Sequence, residues 1–250
     1  PFLTMLKSLL SISLLASSIF CFGQKYIRPY VGVNFSNRIL RSDDADRKDS
    51  LNKADKYKIS PSFGVQFLFE KQSGTEFYLG AAYFETGFVR ERFDYQFLDT
   101  VHPDLAPIFD LSQGAQKNGF FTYHFKYLEI PFGFNFQVTP RQNMHNYIGW
   151  FNFGLNPQFL LKQNMTIFLE GFSIKGENRF NFSETGYNAS KFNVAFQLGG
   201  RFDYTLDKKT WVSVDGLFKI HVLNTASTSN ETFRSWNFNF NLGIRREIGN

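Results

Sequence analysis

The sequence predicts an all-β fold: a closed, antiparallel, up-and-down transmembrane β-barrel of eight strands, with long extracellular loops and short periplasmic turns. Three observations predict it. Segment after segment alternates apolar with polar side chains, the period of two that gives a strand one greasy and one wet face. Several segments approach the ~9–11 residues needed to cross a bilayer, where a soluble strand usually has about five or six. The connections run long, short, long, short, long, short, long, as they do when one end of a barrel faces the outside and the other the periplasm.

Composition agrees. Hydrophobic residues make up 43% of the 250, but aromatics reach 19% and Phe alone numbers 33, where a soluble core would draw on Leu, Ile and Val. Mean hydropathy is -0.26, because alternating strands cancel their own signal in an average. The formal net charge of +5 is spread along the chain with signs mixed. Without a Lys/Arg stripe, a pI near 9.2 does not point to nucleic acid.

Residues 1–23 read as a signal peptide. Met5-Leu-Lys7 is a short positive region, and Leu9 to Phe20 is an apolar run too short to span a bilayer as a helix. Cys21 and Gly23 place small residues for cleavage before Gln24. Residues 1–4 precede the expected start Met and read as a gene-calling artefact. Removing Lys7 takes the charge from +5 to +4. Cys21 is the one cysteine, and Phe20 before it argues against acylation. The processed chain, 24–250, is then a single barrel domain without thiol, disulfide or Cys-based zinc site.

The first strand, Tyr26 to Ser36, sets Ile27, Val31, Val33 and Phe35 against Arg28, Tyr30, Gly32 and Asn34. Asn37 to Lys58 is charged and reads as a solvated loop. The second strand, Ser62 to Glu70, sets Phe63, Val65, Phe67 and Phe69 against Ser62, Gly64, Gln66, Leu68 and Glu70. The third, Phe77 to Gly87, follows a short turn, and Arg90 to Phe121 reads as a long irregular loop. The fourth, Lys126 to Gln137, is the clearest: Leu128, Ile130, Phe132, Phe134 and Phe136 on one face, with Glu129, Pro131, Gly133 and Asn135 on the other. The fifth runs from Tyr147 to Leu161, and Lys162 to Lys191 is the third long loop. Within that loop Thr166 to Phe182 partly alternates, which leaves ten strands as the alternative count. The sixth strand carries Val194, Phe196, Leu198 and Phe202 against Gln197, Arg201 and Asp203. The seventh sets Val212, Val214, Phe218 and Ile220 against Asp215 and Lys219, and the eighth sets Trp236, Phe238, Phe240, Leu242 and Ile244 against Asn237, Asn239, Asn241 and Arg245.

The inward set contains Arg28, Glu70, Glu129, Arg201, Asp203, Asp215, Lys219 and Arg245. An eight-stranded barrel is only wide enough for side chains to fill, and buried charges must be paired. These residues are therefore expected to form a packed polar network that holds the barrel shut. The alternative is a narrow channel or transporter.

Tyr127-Leu-Glu-Ile-Pro131 opens the fourth strand after a long loop, and the leader ends Gly23-Gln24. With eight Phe-rich strands, these features resemble the PorT-type outer-membrane β-barrel proteins of the Bacteroidetes. The resemblance implies the cell outer membrane as location and a link to protein secretion. The second and third loops are longer than that pattern, and the chain ends Arg245-Arg-Glu-Ile-Gly-Asn250 rather than on an aromatic.

For an enzyme, a nucleophile, a base and an orienting acid must converge. His124 and His221 fall near the outer rim, His145 in a periplasmic turn and His102 in a loop; none shows a motif, so no catalytic residue is assigned, and a rim enzyme acting on lipid or peptide is the third reading. Asp43, Asp44 and Asp46 could face a hard cation, but Arg41, Arg47 and Lys48 compete, so no metal or cofactor is expected. The loops carry Phe93, Tyr95, Phe97, Phe109, Phe168 and Phe172, the residue type enriched in binding patches. Asp49-Ser-Leu51 and Asp99-Thr-Val101 match a short O-glycan acceptor pattern. The expectation is a non-enzymatic, monomeric structural or interaction scaffold, with outer-membrane lipid around it and a protein partner at its extracellular loops.

Overall fold

A computed structural model describes residues 24–71, 73–95, 117–139, 146–170, 178–183 and 185–249. The leader, Cys21, His102, His145, the Asp99 glycan motif and the loop aromatics Phe97, Phe109 and Phe172 lie outside the described residues.

In chain order the elements are β1 (Gln24–Ser42), α1 (Ala45–Ala54), β2 (Asp55–Lys56), β3 (Lys58–Lys71), β4 (Thr75–Tyr95), β5 (Lys117–Glu129), β6 (Phe132–Gln137), β7 (Tyr147–Leu169), β8 (Arg179–Phe182), β9 (Asn188–Ala189), β10 (Phe192–Asp207), β11 (Thr210–His221), β12 (Ala226–Ser227) and β13 (Glu231–Glu247). The wall runs β1-β3-β4-β5-β7-β10-β11-β13 and closes through β1–β13, from Tyr26↔Glu247 to Ser42↔Glu231. β6 continues β5 beyond a break at Ile130-Pro131, between the same neighbours β4 and β7. Pro131 has no N–H to donate, yet its carbonyl accepts from Gly80 N at 2.9 Å. The wall is thus eight antiparallel strands, as the sequence predicts. Closure removes the exposed edge that hydrocarbon would not tolerate.

The faces follow the predicted parity. Val31, Phe63, Phe67, Phe134, Phe151, Phe202, Val214, Leu242 and Ile244 are exposed on the outside, while Arg28, Gln66, Asn135, Asn152, Asp203, Asp215, Asn241 and Arg245 are buried within. Aromatic rings mark both edges of this apolar belt. Tyr57 meets Trp236 edge to face at 5.6 Å on the loop side, and Tyr147 stacks on Phe202 at 5.5 Å on the turn side. Such girdles sit at the two water interfaces of a membrane barrel.

Three expected loops contain regular structure. Strand β1 continues to Ser42, and Asn37 to Lys58 then holds α1, capped by Asp44, whose side chain accepts from Arg47 N at 2.9 Å. Asp44 therefore serves the helix. Arg90 to Phe121 begins and ends in strand, because β4 and β5 stay paired to Tyr95↔Lys117. Lys162 to Lys191 extends β7 to Leu169 and adds β8 and β9. Where they are described, these stretches hold α1 and strands that run on past the apolar belt.

One seam is irregular. The β3–β4 ladder stops at Ser62↔Phe84 and resumes as β2 with Lys56↔Val89. Between them the Glu85 carbonyl takes Asn34 Nδ2 at 2.5 Å and Ser60 Oγ at 2.8 Å, the Thr86 carbonyl takes Lys58 Nζ at 3.4 Å, and the Gly87 carbonyl takes Ser36 Oγ at 3.0 Å. Side chains replace the missing ladder, as buried carbonyls require. Gly87 sits at φ 152°, and a Cβ there would lie 1.9 Å from the Tyr123 carbonyl oxygen.

Candidate functional site

The lumen is filled with interlocking side chains. At the turn end lies an ion lattice. Arg201 grips Glu76 with Nη1 at 2.8 Å and Nη2 at 3.2 Å, and its Nε lies 3.1 Å from Asp203. Arg245 reaches Asp203 at 2.9 Å, Glu76 at 3.1 Å and Glu70 at 2.5 Å. Trp150 Nε1 donates to Asp203 at 2.9 Å, and its ring lies 4.9 Å from the Arg201 guanidinium carbon. Beside the lattice, Arg28 pairs with Asp215 at 2.5 Å and donates to Gln66 at 2.7 Å. Lys219 pairs with Glu129 at 2.5 Å, and Gln158 donates to the same carboxylate at 2.8 Å.

All eight sequence-predicted interior charges therefore face the lumen, each held by an opposite charge. Four of them, Arg201, Asp203, Arg245 and Glu70, belong to one lattice, and the other four form the separate pairs Arg28–Asp215 and Lys219–Glu129. Glu76, fully buried at the centre of the lattice, was missed because the third strand was expected to begin at Phe77. Extending its parity by two residues from Tyr78 would have found it.

Among the ions runs an amide belt. Asn152 donates to Asn135 at 2.6 Å, Gln197 to Asn152 at 2.6 Å and Asn156 to Gln197 at 2.9 Å. Toward the loops the lumen turns apolar. Phe84, Phe88, Phe121, Tyr123, Phe125, Tyr127, Met165, Ile167, Tyr187 and Phe233 form one buried cluster, where a polar interior was expected throughout. His221, expected at the rim, is buried here with Nδ1 2.8 Å from Thr225 Oγ1.

A clamp lies over the aromatic cluster. Asp55 takes Arg38 at 2.5 Å and Arg90 at 3.0 Å. Both guanidinium groups donate to the Tyr187 hydroxyl, at 3.2 and 3.3 Å, and that hydroxyl is bound to Glu231. The Arg38 guanidinium carbon stands 4.2 Å above the Phe88 ring. Burial raises the Tyr187 hydroxyl above its ordinary range, so it is a neutral donor at physiological pH. The clamp joins residues from β1, β2, β4, β13 and the segment before β9, and so ties the extramembrane structure to the barrel.

On the outside of the wall, level with the seam, Glu85 Oε1 takes Lys58 Nζ at 2.5 Å and His124 Nδ1 at 2.7 Å, and its Oε2 takes the Tyr83 hydroxyl at 3.2 Å. His124 Nε2 lies 3.2 Å from Thr166 Oγ1, which also bonds Asn181 at 2.7 Å. The sequence placed His124 at the rim but gave no sign of these partners, which come from strands 39 and 42 residues away. No group of three or more potential metal ligands occurs among the described residues.

No family model and no curated protein matches the chain. Among solved structures it is similar to Ail, the attachment invasion locus protein of Yersinia pestis, at 11% identity and TM-score 0.36, covering 89% of this chain and 99% of that one. It is similar to Neisserial surface protein A at 8% identity and TM-score 0.41, covering 90% and 97%. It is also similar to the outer membrane protein OprG from Pseudomonas aeruginosa at 11% identity and TM-score 0.40, covering 92% and 98%. The chain is an outer-membrane β-barrel, as its own surface shows. A closed wall that is apolar outside, polar inside and ringed by aromatics at two levels is built for hydrocarbon.

Proposed function

We propose that this barrel is a non-enzymatic scaffold that holds an extracellular platform for a protein partner. The observation that carries the reading is the continuity of the fill: among the described residues, ion lattice, amide belt, aromatic cluster and clamp succeed one another along the lumen, while the strands continue past the apolar belt into ordered structure. A transporter needs a path, and a narrow barrel packed with paired charges leaves none. The Tyr127-Leu-Glu-Ile-Pro131 motif supports kinship with PorT-type barrels of the Bacteroidetes, and with it a signal-peptide leader and a role beside a protein-secretion apparatus. Single-channel recording in planar bilayers tests the scaffold against the channel: a silent bilayer is expected, and steady current would overturn it. Cross-linking in native outer membranes, followed by mass spectrometry, should then return a protein attached through 42–56 or 178–191.

A second reading rests on Thr166, His124 and Glu85, which stand in the order hydroxyl, imidazole, carboxylate used in acyl transfer. Against it, Lys58 already occupies the Glu85 oxygen that would orient the histidine. Labelling of Thr166 by a fluorophosphonate, abolished in His124→Asn, would replace the scaffold with a rim enzyme.

A further inference from the structure

We propose that the outer rim of the wall at β5 and β7 carries a binding site for a phosphorylated outer-leaflet lipid, with Lys126 and Lys162 as the phosphate clamp. The two lysines are directly opposite each other in the β5–β7 ladder. Lys126 faces outward, since its strand neighbours Phe125 and Tyr127 are buried, and Lys162 across from it is exposed. Like charges directly opposed on a sheet are destabilising, with Cβ atoms only ~4.5–5.5 Å apart. Something negative is needed between them. The carboxylate in the same row is Glu85, opposite Lys126 on β4, and it is already committed to Lys58, His124 and Tyr83. No ion pair joins Lys126 or Lys162 to any described carboxylate.

The surroundings point to a lipid rather than a free anion. Immediately toward the membrane, Leu128, Phe159, Leu161 and Phe192 are exposed and form a footprint for acyl chains. Immediately away from it, His124, Asn164 and Thr166 are outward-facing polar groups that suit a hydrated headgroup. An amphiphile with phosphate above and several chains below matches the patch in both halves, and cationic side chains in forks or pairs hold phosphate well. The inference rests on the loop end being extracellular and not on the scaffold role.

The test uses the full barrel in a zwitterionic detergent, with native mass spectrometry as readout. Diphosphorylated lipid A should be retained by the parent. Retention should fall at least tenfold in Lys126→Gln/Lys162→Gln, recover in Lys126→Arg/Lys162→Arg, and stay unchanged in Lys208→Gln/Lys209→Gln at the opposite end. Dephosphorylated lipid should bind weakly, and millimolar inorganic phosphate should not displace lipid A. Equal retention by the double Gln variant, or equal binding of the dephosphorylated lipid, overturns the site. Displacement by inorganic phosphate overturns the lipid assignment, and equal loss in the Lys208/Lys209 control overturns the outer-rim location. Silent or conducting bilayers bear on the scaffold and leave each of these outcomes as it stands.

Discussion

Replacing Glu76 by glutamine strikes the ion lattice at its centre. The carboxylate holds Arg201 through two bonds of 2.8 and 3.2 Å, Arg245 at 3.1 Å, and the Asn135 amide at 2.6 Å. Glu76 is 0% and Arg201 4% exposed, so water cannot take over when the charge goes. Asp203 would be left to balance two guanidinium groups, helped on Arg245 by the more exposed Glu70. Removing one partner of a buried pair typically costs about 3–5 kcal/mol. The glutamine oxygen keeps one acceptor for Arg201, so the lower end, about 3 kcal/mol, is expected. Urea unfolding in vesicles, followed by tryptophan fluorescence, measures it. In the double-mutant cycle with Arg201→Gln, the two losses should fall short of additive by about 2–3 kcal/mol, the upper range for residues in one network. A loss under about 0.5 kcal/mol, the usual scale of a surface substitution, would refute the claim that the lattice holds the barrel closed.

Gly87→Ala should destabilise by at least about 1–3 kcal/mol, the cost of a strained backbone position, because φ is 152° and the new Cβ would meet the Tyr123 carbonyl at 1.9 Å. Gly200→Ala, whose nearest atom would be 3.5 Å away, is the control and should shift the same urea midpoint little. Tyr187→Phe removes the hydroxyl shared by Arg38, Arg90 and Glu231, so limited proteolysis should cut 178–191 faster while the barrel keeps its heat-resistant gel mobility. Burial raises Tyr187, so its stabilising share is full below the unfolded tyrosine value of about 10 and is lost only as pH climbs through the higher folded one. Tyrosinate absorbance should therefore count one fewer late-titrating ring in Tyr187→Phe than in the parent on alkaline titration.

The sequence made the wall legible because a period of two needs no partner to be seen. Ile27, Val31, Val33 and Phe35 announce an outside without reference to any other strand. Pairing was not legible. Arg28 meets Asp215 across 187 residues and Arg245 meets Glu70 across 175, and those encounters depend on closure and register, which no local pattern encodes. Parity could place each charge inside but could not say which charge it would meet. Glu76 was lost to a boundary set one residue late. Glu85 is a different failure: its parity points outward, and its burial follows from the interrupted seam that Gly87 and Lys58 create.

The largest surprise, the aromatic interior of the loop-side half, has a physical reason that the sequence did contain. Inside the membrane, hydrocarbon lies outside the wall and the polar groups must turn in. Beyond the membrane surface, water lies outside, and a closed sheet becomes an ordinary soluble one with its greasy face inward. The alternation must therefore invert where each strand leaves the bilayer. Strand β5 inverts between Leu128 and Lys126: Leu128 is exposed over a buried Glu129, whereas Lys126, His124 and Thr122 face out over buried Tyr127, Phe125 and Tyr123. Strand β7 inverts at the Leu161 bulge, where outward Phe159 gives way to Lys162 and Asn164, and inward Gln158 to Met165 and Ile167. Strand β13 inverts between Trp236 and Arg234, with buried Asn237 giving way to Phe233. Three strands thus mark one level, and the opposed lysines of β5 and β7 sit on it. A scan for loss of alternation would end the strands there; a scan for its reversal would have followed them out and located the membrane surface on the way.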